Sequence, residues 1–166
     1  MVVTELYLLR HAHAGDPMGW DGPDDARPLS DKGEKQADRL GRFLAQIGFK
    51  PDAILTSPKV RAARTAEMVG AHLDMKTGTD ERLGGQLGLE ELEQVIRDAG
   101  DPERLVVVGH DPDFSDLAAL LCGTPEIPIR KGALARIDVH RPLEPGGGTL
   151  RWLVPPDLLK AEGRDH

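Results

Sequence analysis

Three short stretches of this 166-residue chain hold residue types able to handle phosphoryl groups. They are Arg10-His11, Ser57-Pro58 leading to Arg61, and Gly109-His110. Each follows a short apolar run that reads as a strand, and in open α/β sheets ligands collect at the carboxyl ends of strands. Two histidines and two arginines far apart in sequence are therefore expected to meet in one crevice. Guanidinium forks match phosphate oxygens in bidentate fashion. Their charge disfavours a neighbouring imidazolium, which leaves a neutral ring nitrogen able to attack phosphorus. If the arginines and a second, protonated histidine neutralise the developing charge, the chemistry needs no metal and no cofactor.

The elements that must position these residues alternate in type. Leu6 to Leu9 is a buried strand. Residues 14 to 28, with Gly15, Pro17, Gly19, Gly22, Pro23 and Pro28, form a loop. Ser30 is the expected N-cap of a helix whose Ala37, Leu40, Leu44 and Ile47 share one face, with Gly48 and Pro51 as its stop. Ala53 to Thr56 is a second strand. Ala62, Ala66, Val69 and Leu73 mark a second helix. Residues 75 to 88 read as a short strand and then a Gly-rich loop. Leu89, Leu92, Val95, Ile96 and Ala99 give a third helix. Leu105 to Val108, the most apolar run, suits a central strand covered on both faces. Residues 109 to 112 form a turn, and Phe114, Leu117, Ala118 and Leu121 a fourth helix. Ala133 to Val139 alternates as a half-exposed strand does, and Gly146-Gly147-Gly148 turns the chain into a last strand from Leu150 to Val154, near a sheet edge. This alternation predicts a three-layer α/β/α sandwich around a mostly parallel sheet. One domain over residues 1–155 and a C-terminal tail over 156–166 are expected.

Composition narrows the function further. With 21 Lys and Arg against 28 Asp and Glu, the formal net charge is −7, which argues against nonspecific binding to nucleic acid or to an anionic membrane. Hydrophobic residues make up 39% and aromatic residues 4%, so aliphatic side chains must fill the core. The chain is too short for a (β/α)8 barrel of about 250 residues. A single cysteine, Cys122, excludes an intrachain disulfide and a cysteine-based zinc site. The N-terminus has no signal-peptide pattern, and no apolar run approaches the roughly 20 residues of a membrane span, so a soluble, cytoplasmic protein is expected.

Four ordered motifs resemble those of one family. Leu8-Leu9-Arg10-His11-Ala12 resembles the RHG signature of the histidine phosphatase superfamily, with Ala12 in place of glycine. Thr56 to Ala66 is similar to its SSPxxRAxxTA segment, and Val107-Val108-Gly109-His110 to its second-histidine motif. Arg27-Pro28-Leu29-Ser30, followed by Gly33, resembles the RPLxxxG of the SixA phosphohistidine phosphatase branch, in which RHA is frequent. The resemblance runs from about residue 4 to about residue 155. It implies a phosphoglycerate mutase-like fold and a phosphatase whose His11 is phosphorylated in turnover. His110 would hydrogen-bond the transferring group, Arg10 and Arg61 would clamp its oxygens, and Arg27 would be a further phosphate or partner contact. Glu81, within Asp80-Glu81-Arg82-Leu83-Gly84, matches loosely the carboxylate general acid of many members. The implied partner is a phosphohistidine-bearing protein such as a histidine phosphotransfer domain. The alternatives are a small-molecule phosphomonoesterase with the same chemistry, or a phosphate-binding regulatory module without turnover.

Other patterns carry less. His11-Ala12-His13 has metal-pair spacing, but the barrel that uses such a pair does not fit this length, and His13 is expected at the site rim or simply exposed. His110-Asp111 follows a β-type run, unlike the helical setting of an HD metal pair. Cys122 lies eight residues before Arg130, too far for a cysteine-phosphatase loop. There is no P-loop sequence for ATP. Arg27 has a plain alternative as a loop arginine paired with Asp24 or Asp25, and Glu81 as a solvated carboxylate. No partner is assigned to His72, His140 or His166.

Overall fold

The computed structural model describes residues 2–160. Most of the expected tail, residues 161–166 with His166, lies outside the described residues. Six strands form one sheet: β1 (Val3–Arg10), β2 (Ala53–Thr56), β3 (Gly78–Thr79), β4 (Arg104–Gly109), β5 (Leu134–His140) and β6 (Gly148–Val154). Four helices connect them: α1 (Asp31–Gln46), α2 (Val60–His72), α3 (Leu89–Asp98) and α4 (Asp113–Cys122). The strand order is β3-β2-β4-β1-β5-β6. The first four in chain order run parallel, β5 is antiparallel to β1, and β6 is antiparallel to β5.

Strand side chains alternate between faces, so each central strand supplies both layers of the core. Leu6 and Leu8 of β1 join Leu105 and Val107 of β4 beneath Leu92 and Ile96 of α3 and Phe114, Leu117 and Leu121 of α4. Tyr7 and Leu9 join Val106 and Val108 on the opposite face, under Leu40 and Leu44 of α1 and Ala62, Ala66 and Val69 of α2. Helices therefore cover both faces, as the alternation of elements requires. Burial of each such Leu contributes on the order of 1.5–3 kcal/mol.

The order in which the chain leaves the sheet locates the crevice. After β1 it crosses to the face of α1, and after the neighbouring β4 it crosses to the opposite face of α4. The carboxyl ends of β1 and β4 therefore open between diverging segments, the place where this architecture binds ligands. Residues 75 to 88 resolve into the two-residue edge strand β3 and a 3-10 turn over Glu81–Gly84. Pro156–Leu159 forms another 3-10 turn, and Leu159 packs against the cluster under α1.

The start of α1 is locked to the segment that follows β1. Ser30 caps the helix by accepting the Gly33 N–H at 3.1 Å, and its hydroxyl lies 2.6 Å from Nδ1 of His13. Gly33 is required by this close approach, because a Cβ there would lie 1.9 Å from the His13 carbonyl oxygen. Gly33→Ala is expected to cost about 1–3 kcal/mol of stability, the usual penalty for overpacking. Urea unfolding checks this, and an unchanged midpoint would contradict it.

Candidate active site

The backbone brings the three chemical stretches together before any side chain acts. His11 follows β1 directly, and its N–H donates to the carbonyl of Gly109 at 3.0 Å, which joins the ends of β1 and β4. Ser57 follows β2, and its N–H donates to the Val108 carbonyl at 2.9 Å. Thr65 links the segment after β1 to α2: its hydroxyl accepts the Ala12 N–H at 3.1 Å and donates to the Arg61 carbonyl at 2.7 Å. The nucleophile candidate and the helical arginine thus share one rigid frame.

The two imidazoles face each other with ring centroids 5.2 Å apart. Nδ1 of His11 lies 2.7 Å from the Ala12 carbonyl oxygen. A carbonyl can only accept, so Nδ1 carries the proton and Nε2 keeps its lone pair. Burial, followed by the charges of Arg61, Arg10 and Lys131, lowers the His11 pKa to about 4 against the opposing effect of the Ala12 hydrogen bond. Nε2 is therefore a free lone pair at neutral pH, the form that attacks phosphorus.

His110 differs from its sequence-based expectation. A protonated ring was expected there, but burial and then the nearness of His11, Arg61, Lys59 and Arg10 lower its pKa to about 3. A low-dielectric site crowded with cations cannot hold a further imidazolium. The Ser57 hydroxyl accepts the Lys59 N–H at 3.1 Å and lies 2.8 Å from His110 Nε2. Donation of its own proton to Nε2 puts the ring proton on Nδ1. His110 can then serve as a neutral hydrogen-bond donor.

Arginines complete the cleft. Arg10 donates through Nη1 to the Ile129 carbonyl at 3.0 Å and to Asp111 at 3.3 Å. Asp24 holds two arginines at once, Arg27 through Oδ1 at 3.1 Å and Arg61 through Oδ2 at 3.1 Å. Its backbone carbonyl also accepts from Arg61 at 2.9 Å. Three buried side-chain nitrogens are left without a partner among the described residues: Nε of Arg10, Nε of Arg61 and Nδ1 of His110. Buried donors are rarely left unsatisfied, and three around one cleft mark a place for a multi-oxygen anion. The cleft, about 430 Å³, is lined by Arg10, His11, Arg27, Arg61, His110 and Lys131 among others.

A family model described as "Histidine phosphatase superfamily (branch 1)" matches residues 6–91, more than half of the chain. The chain belongs to the histidine phosphatase superfamily. Among its relatives is an uncharacterized protein of Picosynechococcus sp., 35% identical over 91% of this chain and 99% of the relative. The fold is similar to that of the protein histidine phosphatase SixA complexed with tungstate, with a TM-score of 0.82 and 22% identity over 95% of this chain and all of that one. It is also similar to that of a mycobacterial glucosyl-3-phosphoglycerate phosphatase complexed with VO3, with a TM-score of 0.69 and 17% identity over 90% of this chain and 98% of that one.

Arg10, His11, Arg27, Arg61 and His110, all singled out from sequence, line the one cleft, whereas Glu81 does not. Glu81 lines an adjoining hollow of about 650 Å³ with Asp25, Pro58, Lys59 and the Gly84–Gln86 turn. Arg27 pairs with Asp24, as its plain loop reading has it, and also lines the cleft. His13 is not among the residues that line the cleft, and its Nδ1 lies 2.6 Å from the Ser30 hydroxyl. His72 Nε2 lies 2.8 Å from Asp38, on the outer face of α1 and α2. Sequence reading missed Asp24 as the shared anchor of two arginines, Thr65 as the brace of Ala12, and Lys131 altogether. The Thr65 signal was present in the motif around Arg61, but that of Lys131 was not, because it lies in an irregular loop. An NMR titration of the imidazole rings is expected to give midpoints near 4 for His11 and near 3 for His110. A midpoint of 6 or above for either would contradict the neutral pair.

Proposed function

We propose that the protein is a cytoplasmic phosphohistidine phosphatase that removes the phosphoryl group from a partner protein, such as a histidine phosphotransfer domain, through a covalent intermediate on His11. The observation that carries this reading is the meeting of a neutral His11 Nε2 with three unpartnered buried nitrogens of Arg10, Arg61 and His110. Nε2 of His11 forms the new bond to phosphorus as the bond to the leaving atom breaks. Arg10, Arg61 and Arg27 hold the phosphoryl oxygens, and His110 donates from Nδ1 as charge shifts among them. Water then attacks the phosphorus of phospho-His11, which releases inorganic phosphate and returns the neutral ring.

The state of the carboxylates favours a nitrogen leaving group. Glu81 lies in the adjoining hollow. Asp111 is committed to Arg10 and to the N–H and hydroxyl of Ser115, and Asp113 accepts the Leu87 N–H. An alkoxide, a strong base, needs a proton as it departs. A phosphorylated imidazole already protonated on its second nitrogen leaves as a neutral ring. The adjoining hollow also gives room beside the cleft for the rest of a protein-borne substrate.

The fold shared with a glucosyl-3-phosphoglycerate phosphatase favours a second reading, hydrolysis of a small phosphate ester by the same residues. Comparison of kcat/KM on a phosphohistidine protein with that on sugar and nucleotide phosphates separates the two. Preference for the phosphohistidine protein is expected, with loss of at least about 10³-fold in His11→Ala, as for removal of an enzyme's nucleophile. Preference for a small ester would replace the first reading by the second, and full activity of His11→Ala would remove both.

A further inference from the structure

We propose that Lys131 is a further cationic ligand of the bound phosphoryl group, delivered from the loop between α4 and β5. The proposal rests on the phosphoryl site described above and adds to it a residue that no motif assigns.

The loop is fixed to the residues on which turnover depends. The N–H of Gly132 is shared between the carbonyls of Arg10 at 3.1 Å and His11 at 3.0 Å. The Arg10 N–H donates to Ala133 at 3.2 Å, and the Arg10 side chain donates to Ile129 at 3.0 Å. The Ile129 N–H in turn donates to the Ser115 hydroxyl, which is bound to Asp111. Gly132 has φ +81°, in the left-handed region, so the backbone next to Lys131 takes a turn that favours glycine. Both sides of Lys131 are thus held by the strand end that presents His11, and its side chain lines the same cleft.

Charge accounting points the same way. Arg10 pairs with Asp111, Arg27 and Arg61 share Asp24, and Lys59 lies 3.8 Å from Asp25. Lys131 is the cleft cation without a hydrogen bond or ion pair among the described residues. Lys131 is half-buried, and burial together with Arg10, Arg27 and Arg61 lowers its pKa below the ordinary lysine value. A partly desolvated cation near three guanidinium groups is electrostatically unfavourable. A dianionic oxyanion there relieves the repulsion, and a lysine binds it as a point charge on a flexible stem.

Orthovanadate binding to the whole protein tests this, using wild type, Lys131→Met, which keeps the apolar stem, and Lys131→Arg. Lys131→Met is expected to weaken vanadate binding about tenfold or more, the loss of one charge-assisted contact. Lys131→Arg is expected to stay within about threefold of wild type, since the charge is kept. Without vanadate, the melting temperature of Lys131→Met should equal or exceed that of wild type, because repulsion is removed. Wild-type affinity in Lys131→Met would overturn the proposal. So would weakened binding in both variants together with a lowered melting temperature, which would mark a packing role. Absence of vanadate binding by wild type itself would remove the phosphoryl site, and the role of Lys131 with it.

Discussion

The catalytic end of this molecule depends on one hydrogen bond, 2.7 Å long, between Nδ1 of His11 and the carbonyl of Ala12. It settles which ring nitrogen carries the proton and therefore which one can attack. The bond exists only because the backbone after β1 is held from several sides. The His11 N–H reaches Gly109, the Ala12 N–H reaches Thr65, and the Arg10 and His11 carbonyls share the N–H of Gly132. Each contact comes from a different element. The geometry of one imidazole is thus a property of the sheet, α2 and the loop before β5 together.

A second constraint is electrostatic. The sequence carries a net charge of −7, yet cations converge on one cleft. Carboxylates balance most of them at close range, with Asp24 on Arg27 and Arg61, Asp111 on Arg10 and Asp25 beside Lys59. Those carboxylates leave the buried Nε atoms of Arg10 and Arg61 unpartnered. The arginines are thus each held by a carboxylate while a buried nitrogen of Arg10 and one of Arg61 stay without a partner among the described residues. Burial, reinforced by the same concentration of charge, keeps both histidines neutral. On the proposed function, selectivity for a single phosphoryl group would rest on local geometry, since a net charge of −7 gives no long-range attraction to anions.

Much of this was legible in the sequence, and the physical reason is periodicity. Apolar runs such as Leu6–Leu9 and Leu105–Val108 announce strands, and the residues just after a strand in an α/β sheet have little choice of position. Arg10, His11, Ser57 and His110 could be placed on that ground alone, and Arg61 followed from the helical turn after Ser57. The Ser30 cap was equally plain, because the chemistry of capping is local. Glu81 was harder. Its 3-10 turn between β3 and α3 has no repeating pattern to orient it, and the structure puts the carboxylate in the adjoining hollow. The neutral state of His110 is not visible in the sequence, because it follows first from burial and then from charges that the fold brings in from the end of β1 and the start of α2. Lys131 lies in a loop without periodicity, and only the donation of the Gly132 N–H to the Arg10 and His11 carbonyls shows where that loop goes.

In the proposed reaction, phosphorus passes to a neutral His11 before water receives it. The most direct measurement is rapid quenching, at alkaline pH, of a reaction with a protein carrying labelled phosphohistidine, followed by mapping of the label on the enzyme. An acid-labile, alkali-stable label on His11, absent from His11→Ala, is the predicted result. Turnover with no labelled enzyme, or with the label on any other residue, would contradict the account.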